Sequence, residues 1–272
     1  MQYVTLNNGL SMPQLGFGVW QVADDQAQAA VETALETGYR SIDTAKLYEN
    51  EAGTGRALTA SGLPREELFV TTKLWNDDQG YDKALKAFDA SLDRLGLDYV
   101  DLYLIHWPAP ARNAYVDTWK ALERIYSEGR AKAVGVSNFT VEALDRVVEE
   151  GDVVPAVNQI ELHPYFSQEA MRAADARHGV VTEAWSPLGQ GKELLEDPVL
   201  GAIGAAHGKS AAQVVLRWHL QVGNVVIPKS VTPSRIRENF DVFDFELSGD
   251  DLDKIGSLNR DGRIGPDPAT VG

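Results

Sequence analysis

Strand-like and helix-like stretches alternate along almost the whole chain, and this limits the possible folds more than any other feature. The strand candidates are QLGFG (14–18), YRSID (39–43), LFVTTK (68–73), DLYLIH (101–106), AKAVGVS (131–137), VPAVNQI (154–160), VVTEAW (180–185) and NVVIPKS (224–230). Between them run QAQAAVETALETG, DKALKAFDASLDRLG and YVDTWKALERIYSEG, apolar at three- and four-residue steps and closing on glycine. Eight such units within 272 residues predict an α/β chain folded as a (β/α)8 TIM barrel, with a doubly wound open sheet as the competing arrangement. A short hairpin, YVTL and LSMP around Asn8-Gly9, precedes the first unit. No proline- or serine-rich linker divides the chain, so residues 1–272 read as one domain, with the tail RDGRIGPDPATVG expected over the barrel mouth.

Composition removes several functions. A net charge of −15 opposes binding to nucleic-acid phosphates or to an acidic membrane surface. No apolar run approaches the roughly 18 residues of a membrane span, and MQYVTLNNGLSMP lacks the basic and apolar regions of a secretory signal. With no cysteine, thiolate catalysis and disulfides are excluded. The expectation is a cytoplasmic, monomeric protein without nucleic-acid or membrane partners.

In a barrel of this kind, chemistry belongs where strands end. Three consecutive strand candidates end in titratable residues, Asp43, Lys73 in TTKLW and His106 in LIHWP, and Tyr48 follows Asp43 closely enough to bend over the same spot. A free tyrosine titrates near pH ~10. An ammonium ~4 Å away stabilises phenolate by about 4 kcal/mol at an effective dielectric of ~20, roughly three pKa units, and burial opposes it, so a smaller net depression is expected. Asp43 would keep Lys73 charged, and a neutral His106 would orient a carbonyl oxygen for a general acid. The plain alternative is a salt bridge at a barrel rim. His163, His178, His207 and His219 read as structural, and no histidine cluster has metal-ligand spacing, so no metal is expected.

The segment IPKSVTPSRIRENF places Lys229, Ser230 and Arg235 around a helix start near Thr232-Pro233, which is an anion site on an otherwise acidic chain. A solvated basic helix is its bland counterpart. Gly16-Phe17-Gly18-Val19-Trp20-Gln21 is an incomplete dinucleotide fingerprint, and GAAHGKS is one residue short of a P-loop. Trp20, Trp75 and Trp107 stand just beyond strand ends and Trp185 ends a strand, as expected of the walls of a dry pocket, whereas Trp119 and Trp218 read as packing residues.

GYRSIDTAKLYENE, TTKLW, LYLIHWP, GVSNF, VNQIELHP, WSPLGQG and IPKSVTPSRIRENF together resemble the aldo-keto reductases over essentially the whole chain. The resemblance implies a barrel that reduces aldehydes and ketones with NADPH/NADP+. It implies Tyr48 as proton donor, tuned by Lys73 and Asp43, with His106 placing the carbonyl. It places Ser137, Asn138 and Gln159 at the nicotinamide carboxamide, and Trp185 under the nicotinamide ring where many relatives carry tyrosine. Gly18, Val19 and Trp20 would border the cofactor, and Ser186, Leu188 and Gln190 would follow the pyrophosphate. Lys229, Ser230, Val231, Arg235, Glu238 and Asn239 would grip the adenosine, with Arg235 implying its 2′-phosphate. Trp20, Tyr48, Trp75, His106 and Trp107 would face a small carbonyl substrate. VNQIELHP, WSPLGQGK, AQVVLRWHLQ and DVFDFEL are similar to bacterial 2,5-diketo-D-gluconate reductases, so diketo sugar acids join the candidate substrates. Two rivals remain open. One is a regulatory barrel subunit that binds NADPH without turnover. The other is a phosphosugar isomerase with Glu161 or Glu183 as base.

Overall fold

The computed structural model describes residues 1–272. Tyr3–Thr5 (β1) and Ser11–Pro13 (β2) form the expected antiparallel hairpin, with Gly9 at φ 85° in its turn. Phe17–Gly18 (β3), Ser41–Asp43 (β4), Phe69–Leu74 (β5), Val100–Ile105 (β6), Ala131–Ser137 (β7), Val157–Glu161 (β8), Val181–Trp185 (β9) and Val225–Val226 (β10) follow as parallel neighbours in chain order. The last strand returns to the first. Leu15 bridges Val226 in parallel, Gly16 N–H donates to the Val226 carbonyl at 2.9 Å, and Gly18 N–H donates to that of Pro228 at 3.1 Å. The barrel is therefore closed, and the open-sheet alternative is excluded.

The helices are Asp24–Thr37 (α1), Glu51–Ala60 (α2), Tyr81–Leu95 (α3), Tyr115–Ser127 (α4), Val141–Glu150 (α5), Glu169–His178 (α6), Pro198–His207 (α7), Ala211–Gln221 (α8), Pro233–Phe240 (α9) and Gly249–Gly256 (α10). In α1 the buried residues Ala27, Ala30, Val31, Ala34 and Leu35 repeat at helical spacing and form one stripe. The helix stops at Gly38, whose left-handed backbone (φ 119°) returns its N–H to the Ala34 and Leu35 carbonyls. Every residue of β5 and β6 is buried, as befits parallel strands covered on both faces.

Some expected boundaries move. The segments 14–18 and 224–230 shrink to two-residue strands, because Pro228 has no N–H for the ladder and the chain leaves the barrel there. Lys229 and Ser230 consequently lie in the loop before α9 and close no strand. The segment 154–160 becomes Val157–Glu161, beyond Pro155, and α4 ends at Ser127, two residues short of Gly129.

The hairpin plugs one end of the barrel. Leu6 and Met12 pack with Phe69, Leu102, Leu104, Val157 and Val225 in a buried cluster. Asn7 and Asn8 side chains donate to the Pro155 and Lys132 carbonyls, each at 2.9 Å. A second cluster of 56 buried residues fills the space between barrel and helices. With the amino ends of the strands closed, the carboxyl ends carry the large groove. The tail after α10 reaches it as expected: Glu161 accepts from Ile264 N–H at 2.6 Å and Gly265 N–H at 2.8 Å, and Gly265, Pro266 and Val271 line the groove. No helix is long and apolar enough to cross a membrane.

Candidate active site

Neighbouring strands bring Asp43, Lys73 and His106 together. In the β4–β5 and β5–β6 registers, Asp43 pairs with Thr71 and Lys73 with Leu104, so Asp43 and Lys73 rise from adjacent strands and His106 from the residue just after β6. Lys73 Nζ donates to Asp43 Oδ1 at 2.6 Å, to the Thr44 carbonyl at 2.9 Å and to the Tyr48 hydroxyl at 3.3 Å. Its three hydrogens are thereby used. Tyr48 arrives on a single 3-10 turn, Lys46–Tyr48, and its ring meets His106 edge-on at 5.6 Å between centroids. Trp75 flanks the same histidine at 5.4 Å.

Burial opposes the charge on Lys73, yet the Asp43 carboxylate holds the ammonium above the usual lysine range. His106 is pushed well below its ordinary 6.5, first by burial and then by the Lys73 charge, so its ring is neutral. Its Nδ1 is buried without a partner. A buried N–H without an acceptor is rarer than an unused lone pair, which assigns the proton to Nε2, toward the groove.

The expected net depression of the Tyr48 pKa is not found. Burial raises it, the Lys73 charge lowers it, the Asp43 charge raises it again, and the balance is upward. Tyr48 is half-buried, and its hydroxyl sits against the buried Lys73–Asp43 pair. Desolvation therefore outweighs one ammonium already neutralised by a carboxylate. The phenol therefore keeps its proton at rest, with the ammonium beside its oxygen.

A groove of about 870 Å³ runs from this cluster across the barrel mouth. Gly18, Trp20, Asp43, Tyr48, Trp75, His106 and Trp107 line one end, and Ser137, Asn138, Gln159 and Trp185 line its middle. Ser186, Leu188 and Gln190 continue along it to Lys229, Ser230, Val231, Arg235, Glu238 and Asn239. Two expected residues are not on the wall. Lys73 lies fully buried beneath it, with its ammonium 3.3 Å from the Tyr48 hydroxyl. Val19 points into the core at 0 % exposure, and its carbonyl accepts from Asn50 at 2.8 Å.

The middle of the groove is heavily hydrogen-bonded. Ser137 Oγ donates to the Gln159 carbonyl at 2.8 Å, and Asn138 Nδ2 donates to the His106 carbonyl at 2.9 Å and to Ser137 Oγ at 3.1 Å. Trp185 Nε1 donates to Asn138 Oδ1 at 2.8 Å, a bond tyrosine at this position has no N–H to make. Gly265 lies against the Trp185 ring so closely that a methyl group there would overlap it.

At the far end Thr232 and Pro233 start α9, with Ser230 Oγ accepting the Thr232 N–H at 3.1 Å. Lys229 and Arg235 make no ion pair, whereas the nearby Lys209 is held by Asp241 and Asp244. Ser210 also lines this end. It caps α8 and donates to Glu238 Oε1. It belongs to the GKS stretch set aside as a failed P-loop, and the capping pattern Ser210–Gln213 was the available signal. The tail residues Gly265, Pro266 and Val271 were not foreseen individually, because their placement depends on the distant Glu161.

Both carboxylates suited to an isomerase base are otherwise engaged. Glu161 holds the tail and accepts from His163 Nε2 at 3.0 Å, and Glu183 accepts from Gln159 Nε2 at 2.8 Å. Trp119 and Trp218 are buried as packing residues.

Known proteins resemble this chain over nearly its whole length. Residues 12–260 match the model of the Aldo/keto reductase family. An aldo-keto reductase of Mycolicibacterium smegmatis is 58% identical over 98% of this chain and 97% of its own length. The glyoxal reductase of Bacillus subtilis is 52% identical over 97% of this chain and 95% of its own. A mutant of Gox0644 solved in complex with NADPH superposes with a TM-score of 0.95 at 49% identity, covering 100% of this chain and 98% of that one. A closed barrel, an Asp43–Lys73–Tyr48 cluster beside a neutral His106, and matches spanning nearly the full length lead to one conclusion: this chain belongs to the aldo/keto reductase family.

Proposed function

We propose that this chain, acting as one barrel unit over residues 1–272, is an NADPH-dependent reductase that converts small neutral aldehydes and dicarbonyls to alcohols. The observation that carries the reading is the Lys73 ammonium held 3.3 Å from the Tyr48 hydroxyl, with the His106 ring 5.6 Å from the phenol ring.

The residues of the groove fit this cofactor. Unpaired Lys229 and Arg235 stand at one end, on a chain of net charge −15, where a ribose 2′-phosphate needs cations. Ser137, Asn138 and Gln159 supply neutral polar atoms in the middle, beside the flat face of Trp185. When bound, NADPH supplies the hydride that reduces the carbonyl carbon. The chain does the rest. His106 Nε2–H binds the carbonyl oxygen and fixes its direction. Tyr48 gives its proton to that oxygen as negative charge builds, and the Lys73 ammonium stabilises the phenolate left behind. Asp43 holds Lys73 charged and in place. Trp20, Trp75 and Trp107 wall the reaction from water.

Charge at the mouth narrows the substrate. Lys229 and Arg235 are the groove's only lysine and arginine, and both belong to the adenosine end. A substrate carboxylate at the catalytic end meets aromatic rings and no cation on the groove wall, the Lys73 ammonium lying beneath it and paired with Asp43. This favours glyoxal- or methylglyoxal-like compounds over diketo sugar acids, in keeping with the glyoxal reductase among the relatives. In this reading the enzyme works as a cytoplasmic monomer: of its exposed large apolar side chains, Trp20, Leu47 and Val231 line the groove, while Met1, Tyr3 and Val154 do not.

The test is NADPH absorbance followed with methylglyoxal and with 2,5-diketo-D-gluconate. The reading expects kcat/KM for methylglyoxal to exceed that for the keto acid by about tenfold or more, the scale of one missing charge-assisted bond. The reverse order overturns the substrate class, and no turnover with either overturns the activity.

A further inference from the structure

Glu183 is a carboxylate that the chemistry above does not use. It lies on β9, 1 % exposed, opposite Gln159 of β8. Its Oε2 accepts from Gln159 Nε2 at 2.8 Å, while its Oε1 has no hydrogen-bond partner. The same Gln159 nitrogen donates to Asp43 Oδ2, also at 2.8 Å. A primary amide nitrogen carries two hydrogens, and here both are spent on acids. Turning the amide over would set its oxygen against two carboxylates, so its orientation is fixed. What Gln159 has left for the groove is the acceptor Oε1.

Burial, and after it the Asp43 charge, pushes Glu183 well above the ordinary carboxylate range. Either protonation state serves the same purpose. The Gln159 N–H claims a lone pair of Oε2 and directs any proton to Oε1, so Oε2 accepts in both.

We propose that Glu183 is a positioning residue which, with Asp43, makes Gln159 a pure hydrogen-bond acceptor and so selects a cofactor ring bearing a primary carboxamide. This rests on the nicotinamide cofactor proposed above. A carboxamide N–H₂ fits the free Gln159 oxygen. A methyl ketone in its place offers only an acceptor, and a carboxylate brings further negative charge toward Asp43 and Glu183.

The test is binding, read from tryptophan fluorescence, of NADP+, its 3-acetylpyridine analogue and adenosine 2′-monophosphate. The wild-type chain is expected to bind NADP+ on the order of tenfold more tightly than the analogue, the scale of one hydrogen bond with a buried partner left unmet. Glu183→Met, which removes the acceptor, reduces that preference to about threefold or less, and Glu183→Gln, which keeps an oxygen there, retains it. Affinity for adenosine 2′-monophosphate stays the same in all three, reporting an intact fold and adenosine end. The proposal is overturned if Glu183→Met keeps the full preference, if Glu183→Gln loses it, or if the wild type shows none. Should Glu183→Met fail to fold, the side-chain amide protons of Gln159 in ¹⁵N-labelled wild type decide: slow exchange supports the lock, and solvent-like exchange overturns it. A wild type that binds adenosine 2′-monophosphate but not NADP+ would instead remove the nicotinamide reading itself.

Discussion

Tyr48 and Lys73 come from different units of the barrel, yet the phenol oxygen lies 3.3 Å from the ammonium nitrogen. Lys73 cannot follow another partner, because Asp43 and the Thr44 carbonyl hold its remaining hydrogens. The ammonium also sits 4.9 Å from the centre of the phenol ring. A fixed cation at this place does little to ionise a resting tyrosine whose desolvation outweighs it. In the proposed mechanism it lowers the energy of the phenolate that forms when the proton leaves.

Removing the cation tests that arrangement against simple structural support. Lys73 is 0% exposed and Asp43 3%. Lys73→Met strands a buried carboxylate and is expected to cost about 3–5 kcal/mol of stability, measured by urea unfolding, along with carbonyl reduction. Asp43→Asn combined with Lys73→Met removes both charges and recovers much of the stability but not the turnover. Turnover in the double variant would show that the ammonium is dispensable.

Stability should fall in mild acid, and His219 is one cause. Burial, with the His163 and Arg172 charges, pushes its pKa from 6.5 down to about 3. Between those values the unfolded chain binds a proton that the folded chain refuses, so this contribution is complete above pH 6.5 and is lost as pH falls toward 3. A variant without this titration, His219→Gln, is expected to be less stable at pH 7. Its stability should decline less steeply between pH 6 and pH 4, by up to about 1.4 kcal/mol per pH unit. Urea unfolding across that range is the measurement, and equal slopes would contradict the assignment.

The unpaired cations of the groove predict which cofactor is preferred. Arg235→Ala is expected to weaken NADPH binding by about 2 kcal/mol, as for a hydrogen bond to a charged group, and to leave NADH binding nearly unchanged. Fluorescence titration with both cofactors decides it. Equal losses would place Arg235 away from the 2′-phosphate.

Much of this was legible in the chain. The strands β5 and β6 are continuous apolar runs because both faces are covered, and Gly38 and Gly96 mark helix ends because a left-handed residue is needed there. Asp43, Lys73 and His106 were readable as a group because parallel strands in chain order put successive strand ends side by side. What escaped depends on contacts distant in sequence. Pro228 cuts the last strand short where the groove enters, and Glu161 draws in a tail more than a hundred residues away. Glu183 reads from the sequence only as a candidate isomerase base, and its contact with Gln159 emerges once β8 and β9 pair. The sign of the Tyr48 shift was misjudged for a similar reason: neighbouring charges can be counted along a sequence, but desolvation is set by the surrounding fold.

The most direct measurement is the rate of NADPH oxidation with methylglyoxal by Tyr48→Phe, beside its affinity for NADP+. The account predicts a rate reduced by about 10²–10⁴-fold, the usual contribution of a general acid, with NADP+ still bound. A variant that turns over within about threefold of the wild type, far outside that range, would contradict it.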